Sequence, residues 1–293
     1  MTGGGTGPVR VAYAHLGRDP LDLQLSPSRS AKDAVGVLQR HERETARLWG
    51  DPALETVRDI AYGPAADGLG ERARLDVVRP AGEGPFPCLA FLHGGFWQEG
   101  SKAGSGFASE SLAGQGWATA LIGYTLTPQA RLSEIVAEIA QAVIHLHDNA
   151  ADLKIDPPRI VLAGHSAGGH LAAAMLAGLG GDSAADAVSG AILVSGVYDL
   201  APVAASYVND LARIEPDEID ALSPLLYPPV RDVPVRLLIG ADEPDVFQRQ
   251  TDALHAAWAG YLSDMTLQRV AGRDHFDILD ELADEAGAAF AED

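Results

Sequence analysis

The chain has 293 residues, with 41 acids against 21 lysines and arginines and a formal charge of −20. That balance excludes nucleic acid and an anionic membrane surface as principal partners, because both would be repelled. A hydrophobic content of 47% supports a large core, and a single cysteine, Cys88, excludes an intrachain disulfide framework.

The first ten residues, MTGGGTGPVR, hold no apolar run of signal-peptide length. No apolar segment approaches the roughly 20 residues that span a bilayer. A soluble cytoplasmic protein acting on a small molecule is expected, with no nucleic-acid or membrane partner, and a homodimer is allowed. The length suits one α/β domain over 1–293. Residues 1–10 are Gly-rich and expected to be disordered. Residues 11–50 form an arm or lid, in which Ser30-Ala31-Lys32-Asp33 has the pattern of a helix cap. The helix it announces runs to about Leu48, with Ala34, Val37 and Leu38 on a thin apolar side.

From Thr56 the pattern changes. Residues 56–62 and 73–78 alternate as half-exposed strands and read as an antiparallel edge pair around a loop of turn residues at 63–71. Pro87 to Leu92 is continuously apolar, as a central strand is. A short helix near 107–115 leads to a buried strand at 117–122. Ile135, Ile139, Val143 and Leu146 share one face of a helix over Leu132 to Asn149. Further strands are expected at 160–163, 191–194, 235–239 and 266–270. Helices are expected after 163, after 240 and over 276–290. The segment 197–232 carries five prolines and a run of acids, and reads as a second cap or pocket wall. Alternating strands and helices signal a mostly parallel sheet covered on both faces.

Ligands of open α/β sheets bind beyond the carboxyl ends of the strands. Four reactive stretches fall there. Gly164-His165-Ser166-Ala167-Gly168, between a strand and a helix, has the form of a nucleophile elbow that raises Ser166. His93-Gly94-Gly95-Phe96-Trp97 has the glycines that turn backbone N–H groups inward, so Gly95, Phe96 and Ala167 are the expected oxyanion donors. His93 is expected to hold that loop. Gly240-Ala241-Asp242-Glu243-Pro244-Asp245 offers three carboxylates after a strand. Asp245 stands where a helix N-cap would, and the residue types leave Asp242 and Glu243 as equals. His275 is the one histidine in a late strand-to-helix loop, and the order Ser, acid, His is that of α/β-hydrolases. His255 lies within a helix, and His165 and His170 flank the elbow as packing or hydrogen-bonding residues. No HExxH helix or CxxC pair is present, nor a Gly-rich nucleotide loop, so neither metal nor cofactor is expected.

These stretches together resemble the kynurenine formamidase (arylformamidase) family of α/β-hydrolases. The likeness rests on His93-Gly94-Gly95-Phe96-Trp97, on Gly164 to Ala172, on Ser195 to Leu200, on Ser223-Pro224-Leu225-Leu226 and on Gly240 to Gln250. It also includes Leu25 to Arg29 and Ala61 to Pro64. The family's acid stands three residues after the loop glycine and four before a phenylalanine, which here is Glu243, a departure from the expected aspartate. The resemblance implies a triad of Ser166, Glu243 and His275 and hydrolysis of N-formyl-L-kynurenine to formate and kynurenine. Trp97, Tyr124, Tyr198 and Phe276, with Phe96, are candidates to stack on the aryl amine. The same machinery would serve a carboxylesterase for small acyl esters. A non-catalytic binding protein of this fold is the alternative of another class.

Overall fold

The apolar runs become strands because each is short, bounded by turn residues and able to bury both faces. The computed structural model describes residues 10, 13, 16–63 and 72–290. The expectations for residues 1–9 and for the loop at 64–71 lie outside the described residues.

In chain order the elements are α1 (Arg18–Gln24), α2 (Ala34–Leu48), β1 (Leu54–Ala61), β2 (Arg74–Pro80), β3 (Phe86–Leu92), α3 (Ser109–Gly114), β4 (Ala118–Ile122) and α4 (Leu132–Asp148). Then follow β5 (Ile155–His165), α5 (Ala167–Leu176), α6 (Asp182–Asp186), β6 (Gly190–Val194), α7 (Leu200–Ala204), α8 (Asn209–Ala212) and α9 (Pro216–Ala221). Last come β7 (Val235–Gly240), α10 (Asp245–Trp258), β8 (Met265–Val270) and α11 (Leu282–Ala289). The eight strands form one sheet in the order β1-β2-β4-β3-β5-β6-β7-β8. β1, β2 and β4 pair antiparallel, and the ladder from β4 to β8 is parallel. Of the antiparallel pair only β1 is an edge, since β2 is inserted beside β4.

Strand alternation divides the core. Cys88, Ala90 and Leu92 face the side of α4 and α5, as do Ile160 and Leu162. Leu89, Phe91, Val161 and Ala163 face the side of α3 and α11. The α4 residues Ile135, Ile139, Val143 and Leu146 are all fully buried, as their spacing required. Every residue of α5 is buried, so the elbow helix is a core element. Burial also pushes the Cys88 thiol up to about 12, which makes it an inert core side chain.

Four local expectations need correction. The α2 cap is Asp33, whose carboxylate accepts from Gly36 N at 3.0 Å. Ser30 instead donates its hydroxyl to the Pro27 carbonyl at 3.0 Å. The buried side of α2 is Ala34, His41, Thr45 and Leu48, while Leu38 is exposed. The last helix is broken into a 3-10 turn over Asp277–Glu281 and then α11. There Asp274 accepts from Phe276 N and Asp277 accepts from Asp274 N, which tightens the first turn. Finally, Asp245 opens α10 and pairs with Arg249 at 2.6 Å, and Pro244 holds the cap position.

The arm straps the loop end of the sheet. Tyr13 donates to the Asp245 carbonyl at 3.2 Å, and Gln24 accepts from Val246 N at 3.2 Å. Asp22 accepts from Tyr207 N at 2.7 Å. Arg10 pairs with Asp199 at 3.0 Å and also with Asp220, tying the arm to the short helices of 197–232.

Candidate active site

The sheet register gathers the reactive loops. Leu92 pairs with Gly164, His165 with Val194 and Gly240 with Val270. The residues that follow each strand therefore leave the sheet at one end, side by side.

Ser166 sits at the β5–α5 turn with φ 54° and ψ −115°, a conformation an L-residue holds only when its surroundings impose it. Two glycines impose it. A Cβ on Gly164 would stand 2.1 Å from the Gly168 carbonyl oxygen, and one on Gly168 would stand 2.0 Å from that of Leu92. Ser166 N donates to the Val194 carbonyl at 2.9 Å, which pins the turn to β6.

The loop after β3 turns sharply. Gly95, Phe96 and Trp97 have φ of 106°, 48° and 59°. The Gly95 carbonyl accepts from Gln98 N at 2.8 Å and Glu99 N at 3.1 Å. Gly94 packs against the elbow, since a Cβ there would lie 3.1 Å from Ser166 Cβ. Among the described residues, the N–H groups of Gly95, Phe96 and Ala167 donate to no acceptor. His93 Nδ1 lies 2.8 Å from the Gly94 carbonyl, so Nδ1 carries the proton and Nε2 is an acceptor. The His93 ring stacks on Tyr124 at 4.2 Å, and burial pushes it down to about 4, so it is neutral at pH 7.

Glu243 and His275 meet. Glu243 Oε2 is 2.6 Å from His275 Nδ1, and both side chains are buried. Glu243 Oε1 accepts from Ser195 Oγ at 2.5 Å and Gly240 N at 2.8 Å. The carboxylate is thus fixed by two donors while its other oxygen holds the imidazole with Nδ1 protonated. Asp242 points elsewhere: its carboxylate is 46% exposed and pairs with Lys32 Nζ at 3.0 Å. The His275 ring packs against Phe247 at 4.3 Å and against His165, the residue before Ser166, at 4.7 Å. His165 Nε2 lies 2.7 Å from the His275 carbonyl and must donate to it. Burial holds His165 well below its ordinary pKa.

The aromatic expectations divide. Trp97, Tyr124 and Tyr198 are 0% exposed and pack as core rings in this structure. Trp97 packs edge-on against His170 at 5.0 Å, and Tyr124 donates to the His93 carbonyl at 2.8 Å. Tyr198 closes over Gly196, where a Cβ would meet its ring at 2.5 Å. Phe96 and Phe276 remain partly exposed, and Phe276 lines a cavity beside the site.

Sequence reasoning placed Ser195 only in a pocket-wall segment and assigned no site role to Asp274 or Lys32. Ser195 follows β6 at the carboxyl end of the sheet, a signal that was available. Asp274 is 4% exposed and accepts from Lys32 N at 2.8 Å and Phe276 N at 2.9 Å, joining the arm to the His275 loop. Nothing local in the sequence announces that contact. Among the described residues, no group of three or more His, Cys, Asp or Glu could hold a metal. No helix among them is long and apolar enough to cross a membrane.

The chain matches the family model described as BD-FAE over residues 75–258. It is similar to the kynurenine formamidase of Danio rerio, with 28% identity covering 93% of this chain and 94% of that one. With the kynurenine formamidase of Drosophila melanogaster the identity is 30%, covering 85% and 83% of the two chains. A solved structure from silicibacter sp. tm1040 superposes with a TM-score of 0.78 at 29% identity, over 93% of this chain and 99% of that one.

Proposed function

The chain belongs to the BD-FAE and kynurenine formamidase families of α/β-hydrolases, hydrolases of an amide or ester, and on that premise we propose that it cleaves N-formyl-L-kynurenine through a formyl-serine. The observation that carries the mechanism is the buried 2.6 Å contact of Glu243 with His275, beside the elbow of Ser166. Likeness to kynurenine formamidases over nearly the whole chain carries the substrate.

In this mechanism Ser166 Oγ attacks the formyl carbon and His275 Nε2 takes its proton. Glu243 keeps the proton on Nδ1 and stabilises the imidazolium. Negative charge gathers on the carbonyl oxygen and is met by the N–H groups of Gly95, Phe96 and Ala167, held in place before the reaction. The C–N bond breaks as His275 returns the proton to the aryl nitrogen, and kynurenine leaves. Water, deprotonated by His275, then attacks the formyl-serine, releasing formate and restoring Ser166.

Parallel assays of formate release from N-formylkynurenine and of p-nitrophenyl acetate hydrolysis test the substrate. Good turnover of the ester with none of the formamide would sink the formamidase reading in favour of a carboxylesterase. Ser166→Ala should lower kcat by about 10⁴-fold or more. An unchanged rate would refute the mechanism, and absence of any wild-type turnover would leave a binding protein.

A further inference from the structure

Ser195 is the first residue past β6, at the end of the sheet where the reactive loops emerge. It is 0% exposed and holds φ 50°, in the left-handed region that favours glycine. Its N–H donates to the Leu238 carbonyl of β7 at 2.9 Å, continuing the β6–β7 ladder. The backbone here suits glycine better than serine, so what the position gains from serine is its hydroxyl. Among the described residues that hydroxyl has one acceptor, Glu243 Oε1 at 2.5 Å.

Oε1 also accepts from the N–H of Gly240, the last residue of β7, at 2.8 Å. Oε2 holds His275 Nδ1, from the loop after β8, at 2.6 Å. Donors from three adjacent strands thus meet on one carboxylate. A glutamate has one more torsion than an aspartate, and its last torsion, which turns the carboxylate plane, is broad. Gly240 N alone fixes Oε1 and leaves Oε2 free to swing about it, whereas two donors on Oε1 fix the plane. The charge depends on the hydroxyl as well. Glu243 is buried, and among the described residues no lysine or arginine pairs with it. Until His275 takes a proton, that charge is met only by hydrogen-bond donors, which act strongly on a buried anion.

We propose that Ser195 is a positioning residue for the reaction: its hydroxyl sets the plane of the Glu243 carboxylate and keeps it ionised beside a neutral His275. It thereby lets a glutamate do here what the shorter aspartate does in other serine hydrolases. Without the hydroxyl the carboxylate is more basic and swings more freely. More of the resting enzyme then carries an imidazolium, which has no lone pair for the Ser166 proton. The proposal rests on the acyl-serine mechanism above and not on the formamide substrate.

Ser195→Ala and Ser195→Gly test it in the full chain, read by p-nitrophenyl acetate hydrolysis, by formate release from N-formylkynurenine and by the rate at which a fluorophosphonate inactivates Ser166. Both variants should lower kcat about 10- to 100-fold, the worth of a hydrogen bond to a charged group, with KM within about threefold. The acid limb of the kcat/KM profile should move up by about half to one pH unit. The low-field proton resonance of His275 Nδ1–H, identified by its absence in His275→Gln, should shift or be lost. Ser195→Gly relieves the backbone and should melt no lower than Ser195→Ala, yet be no faster. In Glu243→Asp the carboxylate is drawn back from the hydroxyl, so adding Ser195→Ala should cost less than about twofold more. Three results each overturn the proposal: kcat within twofold of wild type in both Ser195 variants, an acid limb and resonance that stay in place, or an equal cost of Ser195→Ala in the wild-type and Glu243→Asp backgrounds. If N-formylkynurenine is not turned over, the formamidase reading fails, while the ester, the fluorophosphonate and the resonance still decide Ser195. Full activity in Ser166→Ala would instead sink the mechanism, and this proposal with it.

Discussion

Replacing Glu243 by glutamine should disable the histidine through its tautomer. Gly240 N–H can only donate, and it reaches Oε1 at 2.8 Å beside Ser195 Oγ at 2.5 Å. In Glu243→Gln the amide oxygen must take that place. The amide nitrogen then occupies the Oε2 position, 2.6 Å from His275 Nδ1. Nδ1 is forced to accept, the ring proton moves to Nε2, and no lone pair is left there to take the Ser166 proton. By comparison with the same change in other serine hydrolases, kcat should fall by about 10⁴-fold, or ~5.5 kcal/mol, with KM within a few-fold. Asp242→Asn, which only loses an exposed pair with Lys32, should stay within about threefold. Steady-state kinetics on N-formylkynurenine and p-nitrophenyl acetate measure both. A Glu243→Gln enzyme retaining a tenth of the wild-type rate, or a collapse in Asp242→Asn instead, refutes this assignment of the acid.

Asp274→Ala should strand the N–H groups of Lys32 and Phe276, loosen the His275 loop and lower kcat by about 10- to 100-fold. Lys32→Ala removes only an exposed amine and should leave both kcat and the urea midpoint nearly unchanged. Equal effects of the two would contradict the distinction. Gly168→Ala drives a methyl into the Leu92 carbonyl and should cost about 3 kcal/mol, a fall in Tm of roughly 6 °C or more, with lost activity. An unshifted melt would mean the elbow relaxes freely. Stability should also depend on pH through buried histidines. Burial lowers His93 and His170 to about 4 and His165 well below its ordinary value. The unfolded chain takes up these protons below about pH 6.5, whereas the folded His93 and His170 do not until about pH 4. The stabilisation is thus complete above pH 6.5 and lost as pH falls, by about 2 kcal/mol for each of His93 and His170 at pH 5. Urea midpoints unchanged between pH 7 and pH 5 would show that these rings are not held neutral.

Much of the molecule was legible in one dimension because its signals are local. The parallel strands appear as short apolar runs since both their faces are covered. The elbow is readable because only glycine fits at 164 and 168, where backbone passes within about 2.1 Å of the missing Cβ. Other features depend on who the neighbours are. Asp242 and Glu243 are equivalent by residue type, and the resemblance alone favoured Glu243. Only the fold brings Ser195 and Gly240 N to one and Lys32 to the other. The aromatic residues could not be sorted by sequence, because a ring that lines a ligand and a ring that fills a core have the same composition. Tertiary packing buried Trp97, Tyr124 and Tyr198 and left Phe276 at a cavity wall. The sequence thus determined the sheet, the elbow and the residue types of the chemistry, since backbone sterics and apolar periodicity act over a few residues. Which carboxylate meets His275, and what the arm contributes from more than 200 residues away, was decided by contacts that exist only once the chain has closed on itself.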